Sequence, residues 1–337
     1  MFKKQTLFVV GAGASFEVGL PLGKKLASMI KEKMDIRFEL GNRLAGTGDT
    51  DLYIQLTRQF AKDPLELQQA AWLIRDGISL AQSIDDFLDL HRTNQHVNLY
   101  GKAAIVKTIL EAERQSRLYF AGPDKEEYFD PEKCADTWLL KFLHMLGRGV
   151  PKENLQQIFD RVSFIVFNYD RCIEHFLHHA LQKLYAIQEK EASDIVQTLR
   201  IVHPYGEVAN VQFGASRSDY ATLAGRIRTY TEQMTDTKMT EKLQNEMHRA
   251  ESIVFLGFAY HDQNMALVQP VDPMSAKHIY GTAYGMSDSD VEITSHQIRT
   301  WYADENDSRI EKMIHIDNKL KCADLFDYYA RTLTAGD

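Results

Sequence analysis

Cysteine is scarce in this 337-residue chain, and the three that occur, Cys134, Cys172 and Cys322, lie far apart with no CxxC pair among them. That excludes a disulfide framework and a four-cysteine zinc ribbon. There is no continuous apolar run of the roughly 20 residues needed to cross a bilayer. Met1-Phe2-Lys3-Lys4 leads into an apolar stretch too short and too glycine-rich for a secretory signal, so a cytoplasmic location is the expectation. Nor is there an excess of positive charge. The formal net charge is −8, which gives no general attraction to nucleic acid or to an anionic membrane, so direct nucleic-acid binding is not expected. Internal repeats and low-complexity tracts are absent too.

What remains is an ordinary globular composition, 44% hydrophobic and 26% charged, sufficient for a substantial core. Its most informative stretch is Leu7-Phe8-Val9-Val10-Gly11-Ala12-Gly13-Ala14-Ser15, followed by Gly19-Leu20-Pro21. Four apolar residues suit a buried parallel strand, and the small residues after them let a backbone approach a phosphate closely. Read alone, the turn is equally compatible with nucleotide binding and with tight structural packing. It departs from the dehydrogenase fingerprint, because Phe16 stands where G-x-G-x-x-G/A requires a small residue. No acid-terminated second strand follows about 20 residues on. A Walker loop also fails: only three residues lie between Gly19 and Gly23, and Lys24 is followed by lysine rather than Ser or Thr.

After this turn, Lys24 to Lys33 has helical spacing through Leu26, Met29 and Ile30. From Asp35 to Gly149 the patterns are mostly helical, including Pro64 onward, Ile84 to Leu88, Lys102 to Tyr119 and Thr137 to Leu146. Loops are expected at Gly41–Thr50 and at Ala121-Gly122-Pro123-Asp124. Strand-like runs return at 162–167, 199–202, 252–256, 277–280 and 312–316, separated mostly by helical stretches. The expected fold is therefore α/β: a Rossmann-like parallel sheet with helices on both faces and an inserted helical module. The expected division is a domain of residues 1–34 and 150–337 interrupted by a module of residues 35–149.

Ligands of such sheets bind beyond the carboxyl ends of the strands, and three strand ends carry suggestive residues. These are Asn168-Tyr169-Asp170, His203-Pro204-Tyr205-Gly206 and Gly257-Phe258. Each has a bland reading. Asn168 and Asp170 suit caps for the helix beginning near Arg171, and His203 suits a hydrogen-bonded loop position. His175 and His179 sit at i,i+4, a spacing open to metal, but without HExxH or a third ligand. Asp85 and Asp86 read first as the polar face of a helix, and second as part of a closure over the nucleotide. The run His261-Asp262-Gln263-Asn264 reads as a polar loop or as a ribose contact.

Taken together, Gly11-Ala-Gly-Ala-Ser15, Gly19-Leu-Pro21, Phe167-Asn-Tyr-Asp170, Val202-His203 and Phe255-Leu-Gly-Phe258 resemble the ordered motifs of the Sir2 superfamily. The resemblance spans nearly the whole chain. Ser83-Ile-Asp-Asp-Phe-Leu88 and Tyr280-Gly-Thr-Ala-Tyr-Gly285 narrow it to the bacterial Sir2-like branch found in anti-phage defence. It implies an NAD glycohydrolase that releases nicotinamide and ADP-ribose and acts as a toxic effector depleting NAD. A non-catalytic sensor or assembly subunit for NAD or ADP-ribose is the alternative. Protein deacylation is disfavoured, since sirtuin deacylases usually carry a cysteine-based zinc module that three cysteines cannot build.

By the same resemblance, Asn168 and His203 are the expected catalytic pair, with Asp170 orienting the nicotinamide carboxamide or a catalytic neighbour. Asn168 can hold a ribose hydroxyl or the attacking water, and an imidazole of ordinary pKa near 6.5 can act as base. Gly11, Ala12, Gly13, Ala14 and Ser15 are expected around the pyrophosphate, and Gly257 and Phe258 at the adenosine half. NAD enters as substrate, and no metal is expected. A homo-oligomer is the expected assembly, with a defence-system partner such as a helicase, nuclease or Argonaute-like protein and no membrane association.

Overall fold

The computed structural model describes residues 1–39, 43–60, 63–122, 125–208, 211–305 and 307–335. Gly41 and Asn42 of the first expected loop, and Pro123 and Asp124 of the second, lie outside the described residues. Strand β1 (Thr6–Val10) is buried along its whole length and occupies the middle of the sheet. A short antiparallel ladder, β2 (Phe38–Glu39) with β3 (Arg43–Leu44), stands apart from it. The main sheet is completed by β4 (Val162–Val166), β5 (Arg200–Val202), β6 (Ser252–Leu256), β7 (His278–Thr282) and β8 (Ile314–Asp317). Its order is β5-β4-β1-β6-β7-β8, and every pairing is parallel. Val9 of β1 is in register with Ile165 on one side and Phe255 on the other.

Alternation along the central strands divides the apolar residues between two cores. Leu7, Val9, Ile165, Ile253 and Phe255 feed one core; Phe8, Val10, Phe164, Val166, Val254 and Leu256 feed the other. This is the burial expected of a parallel sheet covered on both faces, and it explains why these strands read as continuous apolar runs. Each large side chain so buried contributes about 1.5–3 kcal/mol relative to exposure, which makes the central strands the rigid base of the molecule.

The short helix α1 (Ala12–Phe16) follows β1 directly, and α2 (Gly23–Lys33) buries Leu26 and Ile30 in the first core. That core also takes α3 (Thr50–Phe60), α4 (Pro64–Gly77), α5 (Ile84–Leu90) and most of α6 (Gln95–Gln115). Local signals start these helices: Asp63 caps α4 with Pro64 just inside, Ser83 caps α5 and Asn94 caps α6. On the opposite face lie α7 (Trp138–Gly147), α8 (Cys172–Tyr185) and the C-terminal helix Cys322–Thr334. There Phe8 stacks on Phe164 at 5.1 Å and meets Phe142 edge-on at 5.4 Å, while Trp138 stacks on Phe326 at 5.9 Å. Among the described residues no helix is long and apolar enough to cross a membrane.

The chain builds outward from β1 through β4 to β5, then crosses to the other side and builds β6, β7 and β8. The carboxyl ends of β1, β4, β5 and β6 therefore open onto one crevice, where doubly wound sheets take their ligands.

Candidate functional site

Two glycine turns press against each other at the bottom of this crevice. The Gly13 amide donates to the Gly257 carbonyl at 2.9 Å, and the Gly11 amide donates to Leu256 O at 2.9 Å. A Cβ on Gly11 would stand 2.6 Å from the Gly257 oxygen, and one on Gly13 would stand 2.7 Å from the Gly257 Cα. Gly257 has φ +56° and its own amide donates to Thr282 Oγ1 at 2.8 Å. Side chains at these positions would drive the β1 and β6 turns apart. Packing thus accounts for the three glycines without a ligand. Ala14 N donates to Gly11 O at 3.0 Å, so the Gly11, Gly13 and Ala14 amides of the turn are all taken up by backbone carbonyls. Phe258 lies in the core, 5.2 Å from Phe167 and 5.3 Å from Tyr260, so its ring is a floor beneath the crevice.

Asn168 does not cap α8. Its carboxamide reaches back across the crevice, donating to Gly11 O at 3.0 Å and to Ser15 Oγ at 2.8 Å. Ser15 in turn donates to the Asp170 carboxylate, so one hydroxyl links the residues after β4 to the turn after β1. Asp170 also accepts from Cys172 N at 3.1 Å at the start of α8, the capping contact foreseen for it. Burial raises the Asp170 pKa, and the hydrogen bonds from Cys172 and Ser15 oppose that rise. Both Asn168 amide hydrogens are committed, which leaves its carboxamide oxygen to accept from a ligand.

His203, at the end of β5, completes the cluster. Its Nδ1 lies 3.3 Å from Asn168 O and its Nε2 lies 2.9 Å from Glu174 Oε1, with Glu207 Oε2 at 3.5 Å. Burial alone would depress its pKa, but the Glu174 and Glu207 carboxylates and the Asn168 carbonyl outweigh burial and raise it to about 9. The two nitrogens face two acceptors, an arrangement that an imidazolium satisfies with both N–H groups. Sequence reasoning assigned this histidine an ordinary titration near neutrality; its carboxylate partners move it well above. The Gly206 amide donates back to His203 O at 3.1 Å, and Gly206 takes φ +76° to close that turn. Tyr205 is thereby turned inward, where its hydroxyl donates to Asn264 Oδ1 at 2.7 Å, giving that residue a structural contact.

Glu174, His203 and Glu207 form the one group of metal-ligating side chains with suitable spacing among the described residues, their ligand atoms lying within 4.8 Å of one another. The imidazolium already supplies positive charge between the two carboxylates. The His175 and His179 pair is built differently. His175 stacks on Phe213 at 3.9 Å, and His179 packs on Phe120 and Phe129. Burial pushes the two imidazoles down to about 3 and about 4, so both serve as neutral aromatic packing. All three cysteines are buried and free.

Residues 162–269 match the family model of the SIR2-like domain. The matched region starts at β4 and runs through β6, so it contains Asn168, Asp170, His203, Gly257 and Phe258. A solved structure of a Sir2 homolog in complex with NAD is similar over 98% of this chain and 90% of that one, at 12% identity and a TM-score of 0.37. No curated protein matches the chain. Sequence reasoning missed Glu174 and Glu207 within the matched residues, along with Glu113, Glu17 and Trp138 outside them. The Trp138 indole donates to Ala14 O at 3.0 Å, and Glu17 accepts from Trp138 N and Ala323 N, bracing the glycine turn from behind. Only the acidic character of Glu174, one turn into the helix after Asn168, offered a signal.

Proposed function

We propose that this chain hydrolyses NAD at the nicotinamide–ribose bond, releasing nicotinamide and ADP-ribose. The observation that carries the reading is the convergence of Asn168 and Asp170 on Ser15 in the turn after β1, with His203 beside them at the Asn168 carbonyl. The SIR2-like match over residues 162–269 supports it. In the proposed reaction the C1′–N bond breaks and its electron pair stays with the ring nitrogen, turning the pyridinium into neutral nicotinamide. A water oxygen bonds to C1′, and its proton passes to neutral His203, which Glu174 then stabilises as imidazolium. Asn168 positions that water or a ribose hydroxyl through its free carboxamide oxygen. Asp170 orients the nicotinamide amide or Ser15, and Ala12 and Ser15 meet the pyrophosphate. No metal is required by this route.

The resting site as described is loaded with a proton. Both ring nitrogens of His203 are engaged, which also favours a second reading, a sensor that holds NAD or ADP-ribose without turnover. Chromatography of NAD incubated with the purified chain separates the two: free nicotinamide and ADP-ribose support hydrolysis, and retained intact NAD supports the sensor. The cellular role proposed with hydrolysis is NAD depletion as a defence effector, an extension drawn from the motif resemblance at Ser83–Leu88 and Tyr280–Gly285. Assembly into a homo-oligomer or with a helicase, nuclease or Argonaute-like partner belongs to that extension.

A further inference from the structure

The segment after β4 alternates in what its side chains touch. Asn168 and Asp170 face Ser15 and the glycine turn, whereas Tyr169 and Arg171 face the helices that precede β4 in the chain. The Tyr169 hydroxyl donates to Asp85, on the first turn of α5. Arg171 donates through Nη2 to Glu113 Oε2 at 2.7 Å and through Nε to Glu113 Oε1 at 3.3 Å, a two-pronged grip on a fully buried carboxylate of α6. Residues following His203 are tied into the same frame. Val208 N donates to Tyr169 O at 3.0 Å, Val211 O accepts from Arg171 at 2.5 Å, and Gly214 N donates to Glu113 Oε2 at 2.9 Å.

Asp85 belongs to the Ser-Ile-Asp-Asp-Phe-Leu stretch, and its neighbour explains why two acids stand together. Asp86 serves the helix start, its carboxylate accepting from Gln82 N at 3.4 Å while its amide donates to the Ser83 cap at 3.0 Å. Asp85 is turned the other way, to Tyr169. One turn further along α5, Asp89 accepts from Thr231 N at 3.1 Å, so the same helix also holds a segment beyond β5. A helix needs only one acid at its start; the second is spent on the turn that carries the site.

We propose that Asp85 and Glu113 are positioning residues: acting through Tyr169 and Arg171, they fix the turn that presents Asn168 and Asp170 to the ligand. This rests on the reading of Asn168 and Asp170 as site residues and extends it to two acids contributed by α5 and α6. Because Tyr169 and Arg171 flank Asp170 and follow Asn168, a slip of either anchor rotates both site side chains away from Ser15.

The test uses the full-length chain carrying Asp85→Ala, Asp85→Asn, Tyr169→Phe or the double change Asp85→Ala with Tyr169→Phe. It reads NAD turnover and hydrogen exchange by mass spectrometry. Asp85→Ala and Tyr169→Phe should each lower kcat by roughly 10- to 100-fold with KM changed less than about threefold, the signature of misplacement rather than lost binding. The double variant should fall no further than the worse single one. Asp85→Asn keeps an acceptor for the tyrosine hydroxyl and should stay within about threefold of the parent. In the two disruptive single variants, exchange across 166–172 should rise about tenfold while β1 stays as protected as in the parent. Unchanged exchange at 166–172, or a rise shared equally by β1, overturns the proposal. If the parent does not cleave NAD but the exchange pattern holds, the positioning role stands and the hydrolase reading falls.

Discussion

Replacing Glu174 with glutamine removes the carboxylate 2.9 Å from His203 Nε2 while leaving a side chain of the same shape. His203 is raised to about 9 in the intact site, so at pH 7 only about one molecule in a hundred carries the neutral imidazole. With Glu174 neutralised, Glu207 at 3.5 Å and the Asn168 carbonyl still favour the cation, while burial opposes it. The titration should therefore fall by at least about one unit and by as much as two to three. Arg171 and Arg226, the cations near Glu207, limit how far that remaining carboxylate compensates. If neutral His203 is the base, the rising limb of NAD turnover moves to lower pH by the same amount. The fraction of competent enzyme at pH 7 then increases roughly tenfold or more. Carbon-13 histidine NMR, with His203 assigned by loss of its signal in His203→Gln, follows the titration between pH 5.5 and 9.5. Turnover is measured across the same range. A parent His203 that titrates near 6.5, or a Glu174→Gln midpoint within about 0.3 unit of the parent, would show that Glu174 does not hold the proton on His203.

The same ion pair sets a stability trend. Because folding raises the His203 pKa from 6.5 to about 9, its contribution, on the order of 3 kcal/mol, is complete below pH 6.5 and disappears as pH climbs through 9. Urea unfolding at pH 6 and pH 9.5 should show that loss in the parent and a smaller one in Glu174→Gln. At Gly257, alanine would have to adopt φ +56° with its Cβ driven into Gly13 and Ala14, so Gly257→Ala should cost at least about 2 kcal/mol. Gly23 has open space around it, and Gly23→Ala should leave the thermal midpoint unchanged or slightly raised. Ser15→Ala removes the link between Asn168 and Asp170, costing about 1–3 kcal/mol where a buried partner is left unmatched. Its turnover should fall at least tenfold while the chain remains folded by circular dichroism.

The strands were the most legible part of the sequence, because a run buried on both faces has no polar alternation to obscure it. The stretch 252–256 coincides with β6, and β4 ends one residue before the expected run. Strand β7 continues past Tyr280 through Gly281 to Thr282, where an interior glycine hid the extension. Helix α1 went unread because Ala12 to Phe16 is short, rich in small residues and begins inside a glycine turn. The β2 and β3 ladder is too brief to leave a pattern. Within the site, the polar residues at the strand ends were visible, since topology alone brings those ends together. Their partners were not. Glu174 meets His203 across 29 positions and Glu113 meets Arg171 across 58, pairings that no local period encodes. The glycines were visible too, but the close contact between Gly257 and the β1 turn, which gives them a packing reason, was not.

NAD turnover in the parent and in Asn168→Ala, followed by chromatography of nicotinamide and ADP-ribose with and without candidate partner proteins, decides whether this site hydrolyses its dinucleotide. The parent should release both products in equal amounts, and the folded variant should lose at least about a hundredfold of that turnover. Turnover in Asn168→Ala equal to the parent's, or NAD bound and returned intact by the parent under every condition, would contradict hydrolysis by this site.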